Sequence, residues 1–146
     1  MSKVRVNNFA MSLDGYSAGP DQSVDNPLDV GGASLHDWAL ATRSGRRVHG
    51  MEGAEAGLDD EFVARGHDGI GATIMGRNMF GPIRGPWGDG SWSGWWADEP
   101  PFLHPVFLLT HHARPSRTMQ GGTTFHFVDG GIEAARERGP LASTVA

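Results

Sequence analysis

The stretch GATIMGRNMFG, residues 71–81, decides the fold prediction because a strand passes directly into a helix within it. Residues 72–75 form a β-prone run, Gly76 interrupts it, and a helix-compatible segment covers 78–80. A helix start offers unpaired N–H groups and positive potential, so an anion binds there readily. An arginine in the first turn opposes the helix dipole, but Arg77 suits this place if its planar fork binds a phosphate. The alternative is an ordinary turn with a solvent-exposed arginine.

The composition indicates one globular domain with a packed core, since 38% of the 146 residues are hydrophobic. A net charge of -5 argues against nucleic acid as a partner, although a local basic pocket for a phosphate is compatible with it. The absence of cysteine excludes disulfides, thiolate nucleophiles and cysteine metal sites. We find no signal-peptide pattern and no apolar run that would span a bilayer, which predicts a cytoplasmic protein without a membrane partner.

Strands and helices alternate along the predicted chain. Strands are predicted at 3–9, 72–75, 105–110 and 123–128, and the almost continuously apolar run at 105–110 is typical of a parallel sheet. Helices are predicted from Ser34 to before Gly45, at 60–65 with Phe62 and Val63 inward, at 78–80, and at 132–138 with Ile132 and Ala135 inward. Residues 18–32, 45–57 and 81–101 read as loops. This order argues for an α/β sheet.

Three motifs occur in the order that typifies one known family. They are FAMSLDGYSAG at 9–19, IMGRNMFG at 74–81 and PVFLLTHH at 105–112. Through them, residues 3–138 resemble the dihydrofolate reductase-like family, and in particular its riboflavin-biosynthesis reductase group. The resemblance implies a three-layer α/β/α domain with a mostly parallel central sheet. It also implies NADPH as the cofactor and a hydride transfer to a small pyrimidine- or pterin-like substrate.

The resemblance assigns the first motif to the nicotinamide end of NADPH. The end of the first strand lies against the nicotinamide in this family, which makes the backbones of Phe9 and Ala10 candidate contacts. Ser17, Ala18 and Gly19 would then lie near the ring. Without the resemblance, these residues are an ordinary strand and turn.

The second and third motifs correspond to the adenosine end of the cofactor. Gly76, Arg77 and Asn78 match the family segment that holds the adenosine-side phosphates. Arg77 would bind the 2′-phosphate, which would favour NADPH over NADH. Thr110 and His111 match positions that line the adenosine, just past the carboxyl end of a strand, where such sheets bind ligands.

Asp37 is the candidate catalytic residue, because related reductases carry an acid on the first helix. It would face the substrate with its carboxylate. The alternative is structural, since Asp37 lies three residues after the predicted N-cap Ser34 and resembles the acid of a capping box. His36 is the neighbouring alternative for a functional role.

Three further features receive weaker interpretations. His111, His112 and His126 do not predict a metal site, because adjacent histidines on a strand point to opposite faces. The tryptophan-rich loop at 81–101 would pack over the sheet and the substrate mouth, or would form the contact of a homodimer. The pair Gly130-Gly131 looks like a phosphate turn, but the family's glycine pair follows one strand later, so we assign it no role.

The end of the sequence departs from the family pattern. From Ala135 it reads ARERGPLASTVA, whereas the family continues with a parallel strand, a glycine pair on the cofactor pyrophosphate and further strands. We therefore expect a C-terminally truncated or frame-altered reductase without these strands. The alternative function is a non-catalytic, nucleotide-binding or self-associating remnant of such an enzyme.

Overall fold

The structure, a computed structural model, describes residues 4–6, 10–82 and 84–138. These residues fall into two compact units, one formed by residues 4–69 and the other by residues 70–138. The single domain that the sequence predicts stays a prediction, and each unit is described by itself below.

The unit of residues 4–69 is helical where it is regular. A 3-10 turn at Gly32–His36 leads into helices α1 (Asp37–Leu40), α2 (Arg43–Val48) and α3 (Leu58–His67). Helix α2 begins after Thr42, whose hydroxyl oxygen accepts a hydrogen bond from the Gly45 amide at 3.0 Å. The Asp60 carboxylate accepts from the Ser44 amide at 2.6 Å and so ties α3 to the first turn of α2.

The helix predicted from Ser34 has different limits in the structure. Ser34 is not an N-cap, because it lies within the 3-10 turn and its hydroxyl donates to the Gly31 carbonyl at 2.6 Å. Gly45 does not follow a helix or open a loop, since it is a buried residue of α2. In α3, Val63 is buried as predicted, whereas Phe62 is 53% exposed and the inward prediction for it is wrong.

The opening strand is not formed by those of its residues that the structure describes. Residues 4–6 have no strand partner in the described chain. Arg5 instead donates to the Asp68 carbonyl at 2.8 Å and to the Gly66 carbonyl at 3.3 Å, so it caps the carboxyl end of α3. The rest of the predicted strand, including Phe9, lies outside the described residues.

The unit of residues 70–138 is built on one sheet. Its strands are β1 (Thr73–Gly76), β2 (Pro105–Leu109), β3 (Arg117–Thr118) and β4 (Thr124–Val128), and its helices are α4 (Arg77–Phe80) and α5 (Gly131–Arg138). The strand order is β1-β2-β4-β3. Strand β2 pairs in parallel with β1 and β4, and only the short β3 is antiparallel to β4. The predicted α/β class and mostly parallel sheet are thereby confirmed.

Both faces of this sheet are covered. On one face, Phe80 of α4 and Trp87 pack with the strand residues Phe125 and Phe127 in edge-to-face geometry, with ring centroids 5.0–5.8 Å apart. On the other face, Ala135 of α5 packs with buried residues of β2 and β4. This arrangement is compatible with three layers. Ala135 is buried as predicted, whereas Ile132 is 46% exposed and the inward prediction for it is wrong.

The tryptophan-rich loop packs closely on the aromatic face, and two glycines permit this. The Trp92 indole donates to the Phe80 carbonyl at 3.0 Å and lies where a side chain at Gly81 would stand. Gly94 has a φ of +103°, and a Cβ there would lie 2.9 Å from the ring of Phe80. The prediction that this loop packs over part of the sheet is therefore correct.

Candidate functional site

A cavity of about 390 Å³ opens at the carboxyl ends of the three parallel strands β1, β2 and β4. The residues that line it all belong to the unit of residues 70–138: Arg77, Asn78, Arg84, Gly85, Leu109, Thr110, His111, His112, Val128, Asp129 and Gly131. Parallel strands leave such a crevice because the segments that follow them all leave the sheet at the same edge.

The segments after the strands position the side chains of the cavity. Arg77 follows β1 as the first residue of α4, Thr110 follows β2, and Asp129 follows β4. Because β2 lies between β1 and β4, Arg77 and Asp129 follow strands that are two places apart in the sheet. Neighbouring strands lie about 4.8 Å apart, so these strand ends are separated by about 10 Å. The cavity therefore presents a cation beside one strand and a carboxylate beside another.

Among the described residues that line the cavity, Arg77 alone has buried side-chain donors without a partner. Its Nη1 donates to the Thr110 hydroxyl at 3.2 Å, and its Cζ lies 3.7 Å from the ring centroid of Trp87. Its Nε and Nη2 are buried and have no acceptor among the described residues. Unpaired buried donors cost free energy that an anionic ligand would recover.

The positive charge of Arg77 is not neutralised by the described chain. Burial lowers the pKa of Arg77 from its usual value, and the neighbouring cation of Arg84 lowers this pKa further. No carboxylate of the described residues accepts from the guanidinium. The cavity thus holds two mutually repelling cations, which a negatively charged ligand would stabilise.

Strand β2 ends in a hydroxyl that organises this part of the wall. Thr110 is buried, and its Oγ1 accepts from Arg77 and from the His112 amide at 3.1 Å. The Trp87 indole N–H donates to the His112 carbonyl, so the same segment also fixes the ring beneath Arg77. His111 is exposed in the cavity wall. Thr110 therefore holds Arg77 in place with an oxygen that is already fully engaged.

The structure brings together four of the residues predicted for the adenosine end, namely Arg77, Asn78, Thr110 and His111. Gly76 precedes them but does not line the cavity. Its φ of -76° suits any residue, and a Cβ there would meet nothing within 4 Å, so the described chain does not require glycine at this position. Their contacts with NADPH stay a prediction.

The residues predicted for the nicotinamide end belong to the unit of residues 4–69. Ala10, Ala18 and Gly19 are half-buried and Ser17 is exposed, whereas Phe9 lies outside the described residues. The Gly19 amide donates to the Leu28 carbonyl at 3.0 Å, which closes the loop on itself. Their role at the nicotinamide stays a prediction.

A tight turn lies just before them, at Asp14-Gly15. The Ser12 hydroxyl donates to the Asp14 carboxylate at 2.6 Å, and this hydrogen bond lowers the pKa of Asp14 from its usual value. Gly15 has a φ of +92°, and its amide donates to the Ser12 carbonyl at 3.0 Å.

Asp37 lies in the first turn of α1, where its carboxylate is exposed. The structure contradicts the capping-box interpretation, because neither Ser34 nor His36 makes a side-chain cap and the Asp37 side chain bonds no amide in the described chain. The neighbouring His36 has a buried Nδ1 without a partner among the described residues. A role of Asp37 toward a substrate stays a prediction.

Sequence reasoning missed seven of the eleven residues that line the cavity. Asp129 and Gly131 follow β4, and the glycine pair to which we assigned no role contributes Gly131 to the lining. Their position after an apolar strand was the signal that could have found them. Arg84 and His112 are also in the wall, and no local pattern marks Arg84. The cavity wall therefore contains two arginines, of which the sequence pointed only to Arg77.

No protein-family model matches the chain, and no curated protein matches its sequence.

Across residues 4–6, 10–82 and 84–138, no helix is long and apolar enough to cross a membrane. In the same residues, no three side chains of histidine, cysteine, aspartate or glutamate converge as metal ligands would.

Proposed function

We propose that this chain is an NADPH-dependent reductase of the dihydrofolate reductase-like fold, whose cavity binds the phosphorylated adenosine end of the cofactor. One observation carries the proposal. The Arg77 guanidinium lies in a cavity at the carboxyl ends of parallel strands, with buried donors that lack an acceptor in the described chain. Dinucleotides bind to α/β sheets at this edge.

The charge of the cavity suits a phosphate monoester. Arg77 and Arg84 supply two positive charges, and the planar fork of arginine matches the oxygens of a phosphate. A doubly charged 2′-phosphate would relieve the repulsion between the two guanidinium groups. NADH carries a hydroxyl group at this position and would gain much less from them.

The far side of the cavity suits a ribose. Asp129 follows β4, across β2 from Arg77, and its carboxylate would repel a phosphate but would accept hydrogen bonds from sugar hydroxyls. Gly131 begins α5 beside it. The donors and acceptors that are present therefore fit a nucleotide with its phosphate toward β1 and its ribose hydroxyls toward β4.

NADPH itself would supply the hydride, so the protein has to bind, orient and exclude water. The substrate belongs to the proposal as a small pyrimidine- or pterin-like heterocycle, in keeping with the family resemblance. The exposed carboxylate of Asp37 is the group that we propose to face it. Asp37 would orient the heterocycle or exchange one proton with it.

The second candidate function is a nucleotide-binding protein without turnover. It is favoured by the construction of the cavity, since residues 70–138 supply every lining side chain. Such a protein would bind NADPH with the same residues and would not oxidise it. Both candidate functions include NADPH binding, and only oxidation of the bound cofactor distinguishes the reductase from the nucleotide-binding protein.

The test is a titration with NADPH and with NADH, followed by the fluorescence of the reduced nicotinamide. We expect wild type to prefer NADPH, and Arg77→Gln to weaken NADPH binding by about 1.5–3 kcal/mol, the contribution of a charged hydrogen bond. NADH binding should change little. Arg136→Gln, the same change at an exposed position of α5, is the matched control.

Three results would count against the proposal. Absence of NADPH binding at high micromolar concentration would refute both candidates, and equal losses for NADPH and NADH would refute the role of Arg77. Binding without cofactor oxidation, across a panel of pterins and pyrimidines, would leave the nucleotide-binding protein and reject the reductase.

A further inference from the structure

We propose that Arg114 is a positioning residue that acts through the indole of Trp87 and thereby orients Arg77 for a phosphate monoester. The inference rests on the proposed function, because the phosphate in question is that of NADPH. Arg114 does not line the cavity, and neither its sequence context nor the resemblance assigns it a role.

Two arginines share the ring of Trp87. The Cζ atom of Arg77 lies 3.7 Å from the ring centroid, and the Cζ atom of Arg114 lies 4.2 Å from it. Trp87 is buried, and its indole N–H is engaged by the His112 carbonyl. The ring is thus held at its edge by the segment after β2 and also contacts both guanidinium groups.

Arg114 is fixed more firmly than Arg77. Its Cζ lies 4.1 Å from the ring centroid of Phe127 and 5.6 Å from that of Phe80. Its Nη2 donates to the Trp92 carbonyl at 3.0 Å. The guanidinium therefore ties the tryptophan-rich loop to the aromatic face of the sheet and lies against the ring on which Arg77 rests.

The two guanidinium groups also influence each other by charge. Burial lowers the pKa of Arg114, and the cations of Arg117 and Arg77 lower this pKa further. Cation–π attraction offsets part of this repulsion for each arginine, since the ring faces carry negative potential. If the plane of Trp87 shifts, Arg77 loses the surface that holds it and turns away from the cavity.

Arg114→Lys tests the positioning role, because lysine keeps the charge but lacks the planar group that stacks on rings. We expect it to weaken NADPH binding about fivefold to tenfold, which corresponds to a cation–π contact, and to leave NADH binding unchanged. Arg117→Lys is the matched control. Arg117 donates to the Gly90 carbonyl of the same loop, at 3.4 Å, and has no ring contact with Trp87.

Trp87→Phe provides a second, independent variant. It keeps an aromatic ring but removes the indole N–H and part of the stacking surface, so it should also lower the NADPH preference over NADH. If Arg114 acts through Trp87, the double variant with Arg114→Lys should lose little more than either single variant. Independent action would give a loss equal to the product of the two single effects.

The outcomes separate this inference from the proposed function. If wild type shows no preference for NADPH, the proposed function fails before any variant is made. If wild type prefers NADPH and Arg114→Lys keeps that preference, only the inference fails. Equal weakening of NADPH and NADH, or equal effects of Arg114→Lys and Arg117→Lys, would show a general loosening of the loop and would also overturn it. Should Arg114→Lys not fold, Trp87→Phe still tests the ring on which the inference depends, and an unchanged NADPH preference in that variant would overturn the inference.

Discussion

Replacing Arg77 with methionine should leave the ligand-free protein almost as stable as wild type, although the side chain contacts a ring and a buried hydroxyl. The guanidinium has two buried donors without partners among the described residues. Each unpaired donor costs about 1–3 kcal/mol, so the substitution removes a penalty of about 2–6 kcal/mol.

The same substitution also removes favourable contacts. The charged hydrogen bond to Thr110 contributes about 1.5–3 kcal/mol, and the contact with Trp87 contributes about 0.5–2 kcal/mol. Thr110 keeps the His112 amide as a partner, so it is not left unpaired. Methionine retains an apolar stem on the ring. The gains and losses nearly cancel, and we expect a change within about 1 kcal/mol of zero.

Arg114→Met provides the contrast. The Arg114 guanidinium contacts three rings and donates to the Trp92 and Gly90 carbonyls, and none of its buried donors is unpaired among the described residues. Its loss should cost about 2–4 kcal/mol, because no penalty is removed. Urea unfolding followed by tryptophan fluorescence measures both variants, with the slope m as the check on two-state behaviour. A loss above about 2 kcal/mol for Arg77→Met would refute the reasoning.

Three further predictions follow from other parts of the chain. Gly94→Ala should lower stability by about 1–3 kcal/mol, because its φ is +103° and a Cβ would press on Phe80; an unchanged thermal midpoint would contradict this. Burial lowers the pKa of His104, which bonds the Thr73 hydroxyl, below its usual 6.5. As the pH falls, His104 is protonated in the unfolded chain at a higher pH than in the folded one, so the free energy of unfolding should fall below pH 6.5. In urea titrations, His104→Gln should make the free energy of unfolding less dependent on pH in this range. Thr42→Ala removes the N-cap of α2 and should cost about 1 kcal/mol, which the denaturation midpoint measures.

The sheet could be predicted from the sequence because its signals are local. The run at 105–110 is almost continuously apolar, as a buried parallel strand requires, and the short runs at 72–75 and 123–128 contain β-branched or aromatic residues. The structure places strands at all three. Strand β3 has two residues, Arg117 and Thr118, which is too few to form any periodic pattern, so its pairing could not be foreseen.

The helices of residues 34–48 could not be predicted correctly because packing overrides local propensity there. Glycine usually ends a helix, yet Gly45 lies inside α2, where a Cβ would collide with the Ala39 carbonyl. The helix needs glycine for this close approach, and the sequence shows only the residue type. In α5 the inward prediction is confirmed for Ala135, which is buried, and is wrong for Ile132, which is 46% exposed.

The residues of the candidate site that directly follow a predicted strand could be predicted from the sequence. Arg77 and Thr110 each follow an apolar strand, and parallel strands bring their carboxyl ends to one edge. Asp129 also follows a predicted strand and could have been named on that ground, but the strand order β1-β2-β4, which sets its distance from Arg77, is not visible in the sequence. The position of Arg114 could not be predicted, because the rings that it contacts lie on different segments of the chain.

Arg77 and Arg114, beside this cavity, are held by aromatic rings rather than by carboxylates, and this difference matters for the binding of an anion. A carboxylate within ion-pair distance of Arg77 would satisfy its donors and would also cancel the charge that attracts an anion. The ring of Trp87 holds the guanidinium by its face and leaves the donor edge and the net charge uncompensated. Arg114 contacts the same ring and helps to hold it in place. The cations of Arg77 and Arg114 therefore lie close enough to repel each other. Such an arrangement leaves two donors of Arg77 without an acceptor in the described chain, and under the proposed function a dianionic ligand would satisfy them.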